Sequence, residues 1–145
     1  MKAIRLKTYQ SVAQYKVGSS FAFKQSYPLP PYSTILGMIH NMCGFKEYHD
    51  MKISVQGKSA SKFVDCQTVY SFSTKGKKYE KDRTYYGVVD FHGDKTGITR
   101  GILNNELLVD VNLIIHIVPS EEDFDIVYEA LKHPKEIISI GRYED

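Results

Sequence analysis

Apolar and polar residues alternate with a period of two in separate segments of the chain. The alternation runs through Lys2–Tyr9 and Met51–Lys58, and Lys62–Ser73 is a further stretch rich in β-branched and aromatic residues. In Leu107–Val118 one face is formed by Val109, Val111, Leu113, Ile115 and Ile117. Because successive side chains of a strand point to opposite faces, these segments predict β-strands.

A different spacing follows the prolines of 28–31, where the apolar positions recur every three or four residues. Ser33 or Thr34 is a candidate N-cap for a helix that runs to about Cys43, and Gly44 is a candidate stop. The apolar face would be formed by Ile35, Leu36, Ile39, Met42 and Cys43. Gly37 costs about 1 kcal/mol in a helix interior, so we expect it to permit a close approach to a strand.

A second helix is predicted after the strand that ends at Pro119. Its opening, Ser120–Asp123, has the spacing of a capping box, and Pro134 closes it. Its apolar stripe is Phe124, Val127, Tyr128 and Leu131. The remaining segments carry weaker signals: Ser11–Gln25 predicts a loop with extended pieces, and the glycines of 74–100 predict hairpins or a mobile arm.

The order of these elements is strand, helix, strand, strand-rich insertion, strand, helix and a short apolar tail. It predicts a single α+β domain over residues 1–145 with a ferredoxin-like antiparallel sheet, two helices on one face, a β-hairpin insertion over 74–100, and the last strand missing or incomplete. In that topology the absent strand would pair with the first. We therefore expect an open edge along Lys2–Tyr9, uncovered Ile4 and Leu6 side chains, and pairing of this edge with a second copy or another protein.

Composition narrows the class of protein. Hydrophobic residues make up 42% and charged residues 25%, as in an ordinary globular protein. No apolar run reaches the roughly 20 residues of a membrane span, and the first ten residues do not resemble a secretory signal. Cys43 and Cys66 are too few for a disulfide scaffold or a four-thiolate zinc site. We expect a cytoplasmic protein with no cofactor and no membrane partner.

Charge is distributed unevenly along the chain. Residues 1–105 have a balance of +9 and residues 106–145 a balance of −7, which predicts one basic and one acidic face. The strongest basic segment is interleaved with tyrosines, and it consists of Lys75, Lys77, Lys78, Tyr79, Lys81, Arg83, Tyr85 and Tyr86. Cations neutralise phosphates and tyrosine rings stack on unpaired bases, so the segment predicts RNA contact. A solvated loop is the alternative.

The outer face of the predicted sheet is the second candidate for RNA contact. It would carry Arg5, Lys7, Tyr9, Lys52, Gln56, Lys58, Asn112 and His116. The alternative is the polar outer face of any one-sided sheet. Arg142 and Tyr143 after Gly141 could bind a phosphate, or could belong to a frayed tail.

Catalytic and metal-binding chemistry is weakly indicated. His40 and Cys43 have a spacing that can share a metal, but two ligands do not complete a zinc site. His49 with Tyr48 and Lys46, or the pair at 132–133 (Lys132-His133), offers acid–base groups for a ribonuclease. No motif brings a general base and a charge stabiliser together, so we predict that the protein is not an enzyme and holds no metal.

Two segments resemble a known family. The stretch SYPLPPYSTILGMIHNMCGF, residues 26–45, and the tail SIGRYED, residues 139–145, resemble motifs of the CRISPR-associated RAMP proteins of the Cas-five family, particularly those of type I-B systems. The resemblance implies a protein of the Cascade surveillance complex. Such a protein grips the 5′ handle of crRNA, contacts the backbone and large subunits, and extends a thumb-like hairpin from the 74–100 insertion.

The chain resembles only about the first two-thirds of a typical member, since members continue through a fourth strand and a further β region. Three functions therefore stay open at this point. The first is a working, non-catalytic Cascade protein in antiviral defence. The second is a truncated, phage-borne homologue that acts as an anti-CRISPR decoy and blocks Cascade assembly. The third is a crRNA-processing endoribonuclease.

Overall fold

The computed structural model describes residues 2–21, 23–72, 86–91 and 94–142 and gives a mixed α+β fold with one six-stranded sheet. The strands are β1 (Ile4–Ala13), β2 (Phe23–Lys24), β3 (Met51–Lys58), β4 (Ser61–Phe72), β5 (Gly87–Phe91) and β6 (Asp94–Pro119). The helices are α1 (Tyr32–Cys43) and α2 (Phe124–Lys132).

β6 is the central strand, and each strand ladder of the described residues includes it. β1 and β3 pair antiparallel with the same residues of β6, so they lie along its opposite edges. β4 pairs with the same edge of β6 as β3 does. β2 and β5 pair with the other edge of β6, the one that also carries β1, and β2 runs parallel to β6. Among the described residues no strand pairs with the outer edge of β1.

The hydrophobic core lies between one face of this sheet and the two helices. Val111, Leu113, Ile115 and Ile117 point inward from β6 and are almost fully buried. Ile35 and Ile39 of α1 and Val127 of α2 belong to the same cluster and are fully buried. Both helices therefore cover the same face, and the opposite face of β1, β6 and β3 carries no helix of the described residues.

The expected exposure of Ile4 and Leu6 is wrong for the first of these residues. Ile4 retains only 8% of its surface, and Leu6 packs against the core. Ile4 is buried because it joins the core cluster that includes Val127 of α2 and Ile140 of the tail, which is 3% exposed. The Gln10 side chain fixes this tail to β1 because its Nε2 donates to the Ile140 carbonyl at 2.8 Å.

α1 ends as predicted but begins differently. Gly44 adopts φ 70° and its N–H bonds to the Asn41 carbonyl, a left-handed stop that favours glycine. At the other end the N-cap is Pro31, and no side chain caps the helix. The predicted caps, Ser33 and Thr34, instead lie inside the first turn, because Pro31 ends the extended proline run one turn earlier.

The two glycines that differ most in their surroundings are Gly37 and Gly57. A Cβ at Gly37 would meet no atom within 4 Å, so the predicted close approach of α1 to a strand is wrong. A Cβ at Gly57 of β3 would instead collide with the Asn112 carbonyl and the Leu113 side chain of β6. Glycine is therefore required near the C-terminal end of β3, where this strand pairs with Leu113 of β6.

Replacing Gly57 by alanine should lower the free energy of unfolding by at least about 1 kcal/mol, since the pairing of β3 with β6 must shift to admit the methyl group. Gly37→Ala is the matched control, and we expect it to raise stability by about 0.5–1 kcal/mol because helical glycine is costly. Urea unfolding of both variants followed by circular dichroism measures the difference. Equal stability of the two variants would contradict the close approach.

α2 begins after a turn that Ser120 stabilises. The Ser120 hydroxyl accepts the Asp123 N–H at 3.1 Å and lies 2.9 Å from Asp123 Oδ2. Asp123 is the N-cap residue of α2, so the capping-box residues form the turn before the helix and not its first turn. Of the predicted stripe, Phe124 and Leu131 pack against the core, but Tyr128 is 44% exposed and faces away from it.

β6 is longer than the predicted strand Leu107–Val118, because it begins at Asp94. β1 likewise extends four residues beyond its predicted end at Tyr9, into the predicted loop. The described parts of 74–100, namely 86–91 and 94–100, are the strand β5 and the start of β6. Glycines at 97 and 101 therefore lie within a strand and do not break it.

Asp110 interrupts the regular alternation of β6, since it is the one described residue other than glycine with positive φ, at 52°. Leu107 and Leu108 on its N-terminal side are consecutive and both 4% exposed, so the two halves of β6 do not share one inward-facing series. Val109, predicted to share a buried face with Val111, is accordingly only half-buried.

The helices of the described residues are α1 and α2, and neither has the length and apolar character needed to cross a bilayer.

Candidate nucleic-acid interface

The sheet face opposite the helices brings together polar residues of three strands. The register places Arg5 of β1 and Ser54 of β3 on either side of His116 of β6. The next two rows are formed by Lys7, Ile114 and Gln56, and then by Tyr9, Asn112 and Lys58. Lys52 extends the face beside Val118. We call these residues the basic sheet face; it contains the eight residues that the alternation predicts, together with Ser54 and Ile114.

The cations of this face are exposed to solvent, and none of them forms an ion pair with another described residue. Arg5, Lys7, Lys52 and Lys58 are all exposed. The ion pairs of the described residues join other groups, namely His49 with Asp123, Lys62 with Glu106, and His133 with Glu129. Four exposed positive charges attract a polyanion, and they lie on a surface that no described helix covers.

Tyr9 lies at one border of the basic sheet face and is 62% exposed. Its hydroxyl donates to Asp110 Oδ1 at 2.6 Å, and this hydrogen bond to a carboxylate raises the pKa of the Tyr9 phenol. The left-handed backbone of Asp110 puts its carboxylate within reach of Tyr9. The ring is therefore held neutral and oriented at the sheet surface, where an unpaired base could stack on it.

The other predicted site residues are placed less completely. Lys75, Lys77, Lys78, Tyr79, Lys81, Arg83 and Tyr85 lie outside the described residues. Arg142 follows the buried Ile140 and is half-buried, and its carbonyl accepts a hydrogen bond from Ser139 Oγ at 2.9 Å. Tyr143 also lies outside the described residues.

Tyr86 lies just before β5 and contacts two residues that the sequence did not single out. Its ring centroid is 5.1 Å from that of Tyr70 on β4, and the Arg100 guanidinium of β6 lies 5.1 Å from the Tyr86 centroid. The register explains the contact, because Tyr70 is paired with Arg100. Their spacing in the sequence gives no signal of this pairing, since it depends on where β4 and β6 meet.

Two of the acid–base residues considered for a ribonuclease, His49 and Tyr48, are engaged in structural contacts. His49 Nδ1 lies 2.9 Å from Asp123 Oδ2, and the His49 ring stacks on Phe45 with centroids 3.8 Å apart. The Tyr48 hydroxyl donates to Asp50, which raises the pKa of that phenol. Ser120 contacts Asp123 and not His49, so the three do not have the order of a serine–histidine–aspartate triad.

His40 is held by backbone groups at both ring nitrogens. Its Nε2 accepts the His49 N–H at 3.0 Å, so Nδ1 carries the proton and donates to the Leu36 carbonyl at 2.9 Å. Neither nitrogen is left for a metal. Burial raises the pKa of the Cys43 thiol, which disfavours the thiolate that a metal needs. Among the described residues no group of three or more metal-ligating side chains occurs.

Comparison with known proteins agrees with the sequence resemblance. Residues 3–145 match the family model described as CRISPR-associated protein (Cas_Cas5). A search of curated proteins finds no match.

Two solved structures with a similar fold have titles that name a CRISPR complex or a Cas protein. One is a chain of a "CRISPR RNA-guided surveillance complex", with a TM-score of 0.62 and 20% sequence identity over 99% of this chain and 58% of that one. Another, titled "Crystal structure of Cas protein", has a TM-score of 0.54 and 12% identity over 98% of this chain and 57% of that one. This chain thus spans a little under three-fifths of the length of each of them, and the likeness concerns the fold.

Proposed function

We propose a function that starts from the family of this chain, which belongs to the CRISPR-associated Cas5 family. It is a non-catalytic protein of the Cascade type that binds the 5′ handle of crRNA and docks on other Cascade subunits. The observation that carries the RNA-binding part is the basic sheet face. Its four exposed cations have no carboxylate partner among the described residues, and Tyr9 presents an oriented ring beside them.

Single-stranded RNA suits this surface better than a duplex does. Phosphates of a flexible strand can follow cations that are spread over three adjacent strands, and unpaired bases can stack on tyrosine. The polar side chains between the cations, Gln56, Asn112 and His116, supply donors and acceptors for base edges or sugar hydroxyls. The segment of Lys75, Lys77, Lys78, Lys81 and Arg83 adds a second set of cations to the proposal.

The non-catalytic part of the proposal rests on the histidines. His40 is bonded at both nitrogens, and His49 is bonded to Asp123. A ribonuclease needs a general base and a charge stabiliser beside one scissile phosphate. We therefore expect bound RNA to remain intact in the presence of a chelator, and cleavage that is lost in His49→Ala or His133→Ala would support a nuclease instead.

Docking is supported by the outer edge of β1, which pairs with no strand of the described residues. Such an edge can accept a strand from another chain. The same observation favours a second candidate function, a decoy that occupies the place of a Cascade subunit and blocks assembly. Association of two copies through this edge is a further way of covering it.

Reconstitution with the other Cascade subunits and crRNA tests the two functions. For a working protein we expect stoichiometric incorporation, with more crRNA held in the complex than in its absence. For a decoy we expect the amount of assembled complex to fall as the protein is added. Size-exclusion chromatography with light scattering measures both outcomes. A chain that stays monomeric and leaves assembly unchanged would contradict docking in either form.

A further inference from the structure

We propose that Tyr70, Tyr86 and Arg100 form a stacking site for one unpaired nucleobase, separate from the basic sheet face. This inference rests on the proposed RNA-binding function and gives it a second contact point. The three residues come from different parts of the sheet: Tyr70 lies in β4, Arg100 lies in β6, and Tyr86 directly precedes β5. We call them the tyrosine–arginine cluster.

The backbone fixes the position of each member. Tyr70 and Arg100 are register partners, so their side chains leave the same face of the sheet. The Tyr86 N–H donates to the Ile98 carbonyl at 2.8 Å, which holds Tyr86 beside the opposite edge of β6. The two rings are inclined at 50° with their centroids 5.1 Å apart, and the Arg100 guanidinium lies over the Tyr86 ring. The cluster is therefore ordered before any ligand binds.

Exposure distinguishes this cluster from a packing contact. Tyr70 is 47% exposed, Tyr86 is 61% exposed, and Arg100 is exposed as well. Ile102, which is 73% exposed, follows Arg100 on the same face of β6. Three flat groups and an apolar side chain thus remain in solvent, although aromatic rings of this size normally contribute to a core.

The chemistry of the cluster matches a nucleobase and its phosphate. The Arg100 guanidinium lies over one face of Tyr86 and makes no ion pair among the described residues. A base can stack on the outer face of the guanidinium or on the free face of a tyrosine, as bases do on arginine and aromatic side chains in single-strand binding sites. The charge of Arg100 then remains available to the adjacent phosphate.

The location of the cluster allows the RNA that binds the basic sheet face to contact the cluster as well. Arg100 and Asn112 lie on one strand, twelve residues apart, which is at most about 40 Å at 3.3 Å per residue because Asp110 interrupts the strand between them. Several nucleotides of one RNA could therefore reach both places.

The affinity of the Tyr86→Ala variant for single-stranded RNA oligonucleotides tests the site. One series of oligonucleotides is unmodified, and in a second series an abasic nucleotide is placed at successive positions. We expect Tyr86→Ala to weaken binding about ten-fold, and Tyr86→Phe to retain most of the affinity because the ring remains. One abasic position should weaken binding of the unmodified protein to a similar extent and have no further effect on Tyr86→Ala. Arg100→Lys should also weaken binding, since the charge stays but the flat group is lost.

Tyr32→Ala is the matched control, because Tyr32 is 63% exposed on α1 and belongs to no cluster of this kind. We expect it to bind like the unmodified protein.

If Tyr86→Ala and Arg100→Lys bind RNA normally while the basic sheet face still governs affinity, the stacking site is wrong and the proposed function stands. If those variants lose only association with protein subunits, the cluster is a protein contact and this inference is also wrong. If the unmodified protein binds no RNA even at low salt, both proposals fail.

Discussion

Replacing Arg5, Lys7, Lys52 and Lys58 together by glutamine is expected to weaken binding of single-stranded RNA at physiological salt by about a hundred-fold. Each cation that contacts a phosphate of a single strand releases about 0.7 of a bound counterion, so the loss of four contacts lowers the slope of log affinity against log salt by about 2.8. Fluorescence anisotropy over a series of salt concentrations measures this slope. Stability should change little, because all four side chains are exposed.

The matched control removes an equal charge from the helical side, through glutamine at Lys2, Lys46, Lys132 and Lys135. If the slope falls equally in both variants, affinity depends on net charge and the basic sheet face is not the binding surface. A third variant carries alanine at Lys75, Lys77, Lys78, Lys81 and Arg83. If that variant alone flattens the slope, the RNA binds at the 73–85 segment and not at the sheet.

Asp123→Ala is expected to lower the free energy of unfolding at neutral pH by about 2–3 kcal/mol, since it removes a carboxylate with two hydrogen-bond partners. Asp123 Oδ2 lies 2.9 Å from both His49 Nδ1 and Ser120 Oγ. The side chain is only 14% exposed, and it joins the loop after α1 to the start of α2. Thermal unfolding at several pH values measures the effect.

The dependence on pH has a definite sign. The hydrogen bond from His49, followed by that from Ser120, holds the pKa of Asp123 below its usual value. The carboxylate therefore stabilises the fold fully above the pKa of unfolded aspartate, about 3.9, and this contribution is lost as the pH falls through the lower folded-state value. The difference between Asp123→Ala and the unmodified protein should shrink in acid.

Asp125→Ala is the control for this prediction, because Asp125 is an exposed carboxylate in the first turn of the same helix. It shares the favourable interaction with the helix dipole but lacks the bonds to His49 and Ser120. A loss of stability equal to that of Asp123→Ala, or one that does not change with pH, would show that the His49 contact contributes nothing specific.

The parts of the fold that the sequence predicts best are those set by local periodicity. β3 has its predicted bounds, Met51–Lys58, because a strict alternation has only one strand register with the apolar side buried. α1 ends at Gly44 since the left-handed conformation strongly favours glycine. The same alternation placed Arg5, Lys7, Lys52 and Lys58 on one face before their pairing partners were known.

What the sequence did not predict depends on contacts between distant segments. The extent of β6 is one example, since the glycines of 97 and 101 are tolerated only because β4 and β5 pair along them. The attachment of the tail to β1 is another, because it requires the Gln10 side chain to reach the Ile140 carbonyl. The tyrosine–arginine cluster needs the register of two ladders at once, and no local pattern carries that information.

The dominance of β6 also determines when the sheet can form during synthesis. β1 leaves the ribosome about a hundred residues before its partner residues in β6, which begin at Leu108. At about 5–20 residues per second this is a delay of roughly 5–20 s. Through that interval β1, β2, β3 and β4 have no ladder to join, because each ladder of the described residues needs β6. The nascent chain therefore carries unpaired strands until β6 is synthesised, and RNA or a partner subunit can stabilise the sheet only after β6 has emerged.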